Sequence, residues 1–280
     1  MRKLLIGTAA IALSGCSWFG DANDNYGHDD NKQHNYYSGY QDTDDKCCVN
    51  GKRLSRWNLE GAIGPEFFIG GDAITGEEIN PIDGVVSSNL SMADAYDPGF
   101  RYELGGSYAL NPNRKVTLMG SYAEADGERV DLGSINGNVV SGDMTDYQRY
   151  GVELGLRQYF TPTKAPVVGS IRPYVEGRVG AAHVDDIALT NATIGTQGQA
   201  YNGGTVRMYE KGWVPTAAGL VGVEAPVFNR ATLALESGVR YTGVMESDTR
   251  DLGPAIPLAG TNNGMSNWTV PVQLRGRYRF

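Results

Sequence analysis

Three cysteines and three histidines in 280 residues are too few for a disulfide-stapled scaffold, and no spacing among them resembles a Cys/His zinc pattern. Beyond the first thirteen residues no long apolar run occurs, and a mean hydropathy of −0.33 excludes helical membrane spans. Cations are the scarcer charge: 24 Lys and Arg stand against 32 Asp and Glu, a net −8. That balance disfavours nucleic acid as a partner, because phosphate binding needs clustered positive charge. In contrast, glycine and tyrosine are plentiful, at 38 and 16 residues. Both suit a barrel wall, where Gly relieves curvature and Tyr sits at lipid headgroup level.

The N-terminus reads as an export signal. Met1-Arg2-Lys3 is basic, and Leu4 to Leu13 is an apolar stretch of about ten residues, too short to cross a bilayer as a helix. Leu13-Ser14-Gly15-Cys16 resembles the bacterial lipobox, which implies cleavage before Cys16 and acylation of its thiol and new amine. Ser17, in place of the Asp that by the same resemblance favours inner-membrane retention, permits outer-membrane delivery. Loss of residues 1–15 removes Arg2 and Lys3 and takes the net charge from −8 to −10.

Residues 16–55 are rich in Asp, Asn, Gly and Tyr with few aliphatics, a composition that cannot bury enough apolar surface to fold alone. They are expected to form a disordered, acidic, acylated tether. His28, His34, Cys47 and Cys48 give no metal-ligand spacing, and the fate of the vicinal Cys47 and Cys48 stays open between a strained disulfide and a bridge to another chain.

From Arg56 to Phe280 the chain alternates with period two, the signature of strands with one apolar face. Eight stripes stand out, around residues 57–67, 100–110, 116–122, 150–156, 175–181, 217–223, 233–241 and 268–280. In the last one Trp268, Val270, Val272, Leu274, Gly276, Tyr278 and Phe280 share a face, opposite Thr269, Gln273, Arg275, Arg277 and Arg279. Lipid outside and a polar lumen inside demand this combination. Short turns, as at Asn111-Pro112-Asn113, alternate with long polar links at 70–97, 124–146, 184–213 and 243–267. The fold predicted is all-β: an eight-stranded antiparallel up-and-down transmembrane β-barrel with both termini on the periplasmic side.

Charges test that reading independently, since they did not define the stripes. Glu60, Glu66, Glu103, Glu153, Glu176, Glu224 and Glu236, with Arg101, Lys115, Arg149, Arg157, Arg172, Arg178, Arg240, Arg275, Arg277 and Arg279, all fall on the face opposite the apolar stripe. Eight strands enclose a lumen just wide enough for side chains, so these groups are expected to form a lumen charge network that closes it. Glu176 with Arg178, and Glu236 with Arg240, share a strand and a face and are candidate pairs.

The strand count, the loop alternation, segments such as Gly99-Phe100-Arg101-Tyr102-Glu103-Leu104-Gly105-Gly106 and the ending Arg277-Tyr278-Arg279-Phe280 resemble the small outer-membrane barrels of the OmpA/OmpX and opacity-protein superfamily. The resemblance covers residues 56–280 and implies that Phe280 and Tyr278 form the barrel-assembly signal. Cys16 departs from it, because a lipidated small barrel is uncommon. Barrel lipid A deacylases resemble a His-x-Ser pair, and His183-Val184-Asp185 lacks the serine. Asp143, Asp146, Asp185 and Asp186 read as solvated loop carboxylates, with no metal or other cofactor implied.

The function expected is non-enzymatic: a lipid-anchored outer-membrane barrel in a structural, envelope-tethering or adhesion-like surface role through four extracellular loops. The alternative is a narrow ion or small-solute channel, and a lipid A-modifying enzyme ranks last. The partners implied are outer-membrane lipid and lipopolysaccharide, the barrel-assembly and lipoprotein-sorting machineries, and a periplasmic or surface protein or glycan of unknown identity.

Overall fold

The eight stripes become eight long strands in the computed structural model, which describes residues 48–49, 52–53, 56–75, 78–80, 85–87, 89–135, 137–165, 169–195, 199–200, 205–248 and 265–280. They are β1 Trp57–Gly70, β2 Gly99–Asn111, β3 Arg114–Ala125, β4 Tyr147–Tyr159, β5 Gly169–Val184, β6 Gly212–Phe228, β7 Ala231–Thr242 and β8 Asn267–Arg279. Each pairs antiparallel with the next along the chain, and β8 pairs with β1 to close the ring. Closure matters energetically, because it leaves no strand edge with unpaired backbone groups.

The signal expected at 1–15, the expected acylation site Cys16 and most of the expected tether lie outside the described residues. At the tether's end, Cys48–Val49 and Lys52–Arg53 pair antiparallel, so that part of 16–55 has local order.

Side-chain alternation along the strands turns the usual distribution inside out. Leu59, Leu104, Val152, Leu154, Val179, Val221 and Leu235 point outward and are exposed, whereas seven Glu and eight Arg of the barrel strands are buried inside. Aromatics gather at both ends of this apolar wall. Trp57 meets Tyr108 with ring centroids 5.0 Å apart, and Tyr278 meets Phe280 at 5.6 Å, at the short-turn end. Phe100 with Tyr102, at 5.2 Å, and Tyr241 with Trp268, at 5.0 Å, mark the long-link end.

Curvature comes partly from glycine on the inner face. A Cβ on Gly105 would sit 2.1 Å from the Leu118 carbonyl oxygen, and one on Gly180 would sit 2.1 Å from that of Val152. At these two places the neighbouring backbone occupies the volume a side chain would need.

The long links differ from the expectation of polar loops. Arg129–Ile135, Asn138–Met144, Ile187–Ile194 and Thr205–Tyr209 continue upward as strands and join Gln199–Ala200, Val85–Ser87 and Glu78–Asn80 in a second, seven-stranded sheet. Between β1 and β2 a single helical turn, Met92–Ala95, is capped by Ser91, whose Oγ accepts from the Asp94 N–H at 3.3 Å. These pieces bury an apolar core of their own, including Ile74, Met92, Tyr96, Leu132, Leu189, Val206, Tyr209 and Met265. The residues that build it alternate over only a few positions each, as in Val130 and Leu132 or Val206 and Met208, so among Asn, Gly and Asp they read as loop.

Candidate functional site: a charged lumen beneath an apolar cap

Cross-strand register brings opposite charges face to face. Arg157 on β4 lies opposite Glu176 on β5, Arg172 on β5 opposite Glu224 on β6, and Arg277 on β8 opposite Glu60 on β1. Oppositely charged residues on one face of adjacent strands attract. In a closed barrel they also reach across the lumen, so the pairs merge into three linked tiers.

The tier nearest the short turns is built on Arg157, whose side chain is fully buried. It donates to Glu176 Oε2 at 2.7 Å and to both Glu60 oxygens at 3.1 and 3.0 Å. Arg277 Nε donates to Glu60 Oε1 at 2.7 Å and also binds Glu224. Tyr159 and Tyr174 occupy the same level and donate to Glu224 at 2.9 Å and Glu236 at 2.8 Å. Cations surround the Tyr159 ring: the Arg172 guanidinium carbon lies 4.4 Å and Lys115 Nζ 5.2 Å from its centroid. Arg172 also donates to the Pro112 carbonyl at 2.6 Å, tying the lumen to the β2–β3 turn.

Glu103 is the hub of the middle tier. It accepts from Arg178 at 2.8 Å and Arg275 at 2.7 Å on one oxygen, and from Arg240 at 2.6 Å and Arg101 at 2.8 Å on the other. Four charge-assisted bonds to one carboxylate fill its lone-pair sites. Arg178 Nε reaches Glu176 at 2.7 Å, whereas Glu236 turns to Arg275, also at 2.7 Å. Of the two same-strand pairs expected, Glu176 with Arg178 forms. Arg240 instead binds Glu153, at 2.6 and 2.7 Å.

The upper tier joins Arg101, Arg149 and Arg240 to Glu66 and Glu153. Arg149 donates to Glu66 and Thr242, and Thr269 donates to Glu66. Directly above, the ring of Phe68 packs on Tyr147 and Tyr96 with centroids 5.6 and 5.8 Å away, and this aromatic floor begins the cap. Tyr209 crosses the cap to donate its hydroxyl to the Ala73 carbonyl at 2.9 Å. Burial raises the Tyr209 and Tyr96 phenols above their ordinary range, so both stay protonated.

Two of the inward charges sit at the margin. Lys115 and Arg279 are half-buried near the short-turn end, where the other inward charges are fully buried. Phe280 and Tyr278 lie outward at that same end, 55% and 44% exposed.

No family model matches the chain and no curated relative does. Solved structures are similar to it. Neisserial surface protein A is 12% identical, covering 82% of this chain and 100% of its own with a TM-score of 0.43. Ail, the attachment invasion locus protein of Yersinia pestis, is 13% identical over 80% of this chain and 98% of its own, with a TM-score of 0.33. The outer membrane protease OmpT from Escherichia coli is 9% identical over 82% and 99%, with a TM-score of 0.39. The closed strand register described above stands independently of these similarities.

Outside the lumen, His183 at the outer end of β5 stacks on Tyr150 with centroids 4.9 Å apart and meets Trp213 edge-on at 5.6 Å. It belongs to the aromatic belt and has an aspartate, Asp185, 3.6 Å from Nδ1. Asp143 pairs with Arg129 at 3.1 Å and accepts from Asn191 at 2.8 Å. Among the described residues no group of three or more His, Cys, Asp or Glu is placed to hold a metal ion. On the exposed surface of the cap, a hydrogen bond to Asp97, then the charge of Asp97, raise the Glu128 carboxyl above its ordinary range. The contact is therefore favourable while one proton is shared and is lost as pH rises through the raised value.

The lumen tyrosines and the cap were not visible in the sequence. Tyr159 and Tyr174 carry an inward parity that could have revealed them, but tyrosine near a strand end reads equally as a belt residue.

Proposed function

We propose that this chain is a lipid-anchored outer-membrane protein whose closed barrel displays a folded platform outside the cell. The role is structural and adhesive rather than catalytic or conductive. Membrane residence is supported by the spacing of the aromatic belts. About ten positions separate Trp57 from Phe67, Tyr150 from Phe160, and Trp268 from Tyr278. At ~3.3 Å per residue and a tilt of ~40°, ten positions rise ~25 Å, the height of the apolar band of an outer-membrane barrel. Such barrels keep short turns in the periplasm, which puts the cap outside and both ends of the barrel inside. A periplasmic N-terminus suits an anchor at Cys16 on the inner leaflet, joined by the acidic tether.

The observation that carries the reading is the double obstruction of the axis. Fifteen charged side chains fill the lumen as linked ion pairs, and the long links cover it with a sheet that has a buried core. A pore would need neither, and a platform for contact with a surface protein or glycan needs a rigid, well-founded outer sheet.

Reconstitution in planar bilayers tests this. The full chain is expected to show no stable conductance, and cross-linking on intact cells is expected to trap a partner at positions of the cap. A steady solute-selective conductance would replace this reading with a narrow channel. A mass change in lipid A that depends on the protein would replace it with an enzyme.

A further inference from the structure

The upper tier of the lumen leaves donors over. A cavity of about 10 Å³ lies there, bounded by Arg101, Arg149, Glu153, Thr216 and Arg240, with room for about one small occupant. Three atoms of its lining residues have no hydrogen-bond partner: Arg149 Nε, Arg240 Nε and Thr216 Oγ1. All three residues are deeply buried, at 4%, 2% and 8% exposure. An unpartnered N–H on a buried guanidinium is costly, because it forfeits its hydration without replacement.

Charge points the same way. Eight arginines and seven glutamates are buried on the barrel strands, and Lys115 and Arg279 stand half-buried at the short-turn end, so the inward cations outnumber the carboxylates. Here three arginines face Glu66, Glu153 and a share in Glu103. Glu103 already accepts from four guanidinium groups, and Glu153 is held through both oxygens by Arg240. Glu66 takes the terminal nitrogen of Arg149 and the Thr269 hydroxyl on one oxygen, and the Nε atoms of Arg149 and Arg240 reach none of these carboxylates.

We infer that this cavity is a binding site for one small monovalent anion of chloride size, held by Arg149 Nε, Arg240 Nε and the Thr216 hydroxyl. The ion supplies the missing negative charge, needs only donors around it, and accounts for all three free atoms at once. A water molecule is the competitor, since it would accept from the guanidinium groups and donate to Glu153.

Bromide distinguishes the two. Crystals of the full chain grown in sodium bromide should give an anomalous difference peak inside the cavity, within contact of the two Nε atoms. In detergent, the protein should melt higher in sodium chloride than in sodium gluconate of equal ionic strength. With salt at ~100 times the dissociation constant, the expected difference is about 5–10 °C. Thr216→Val should shrink that difference, and Thr216→Ser should restore it. A cavity without anomalous signal in bromide crystals overturns the inference, as does a wild type that melts identically in the two salts.

Discussion

Arg157 shows what one residue contributes here. Its guanidinium is fully buried and joins Glu60 to Glu176, so three strands depend on one planar fork. Buried ion pairs are weak contributors relative to an apolar core, yet removing one partner strands the other in a medium that cannot solvate it. Arg157→Ala is therefore expected to cost about 3–5 kcal/mol and to lower the melting temperature in detergent by roughly 10 °C. Alanine at the exposed Arg56 should leave it unchanged. Equal melting of wild type and Arg157→Ala would mean that lumen water screens the carboxylates.

Among the elements, barrel strands and cap strands were unequally legible. A barrel strand meets two constant environments over more than ten residues, so parity repeats enough to be read. The apolar stripes at 150–156 and 233–241 therefore located β4 and β7 directly. Cap strands such as Thr205–Tyr209 or Arg129–Ile135 are brief, and two or three alternating residues do not separate from background. Which face a lumen charge occupies follows from parity, but which partner it takes depends on stagger around the ring. That is why Glu236 meets Arg275 on β8 instead of Arg240 on its own strand.

The cap is a separate packing problem from the lumen, and the two should fail separately. Leu189 is completely buried in the cap core. Leu189→Asp places an unpaired carboxylate there and should open the Ile187–Ile194 and Thr205–Tyr209 ladder. Limited proteolysis is expected to cut the variant within the cap while the barrel keeps its heat-modifiable migration on gels. Loss of that migration would mean the cap is needed for the barrel to hold.

For the whole molecule, the roles proposed for Phe280 and Cys16 concern delivery rather than the finished fold. Phe280 is 55% exposed at the barrel's end, so its deletion removes at most about 1.5–3 kcal/mol of burial. If it is the assembly signal, the deletion should cut the amount of protein in the outer membrane far more than it lowers melting of what arrives. Normal levels in heat-modifiability gels would remove that role. Cys16→Ala should abolish labelling with an alkyne fatty acid and leave barrel insertion largely intact, because eight lipid-facing strands hold far more apolar surface than acyl chains do. Labelling that persists in the variant would end the lipoprotein reading.

The filled lumen also imposes a chronology on biogenesis. With the cap outside the cell, as proposed above, a finished ring plugged by arginine and glutamate offers the four links that build the cap no route through its centre. They must therefore cross while the contact between Asn267–Arg279 and Trp57–Gly70 is still unmade. On that orientation, zipping the last contact is the final step: cap segments still on the inner side at closure are shut in by the filled lumen.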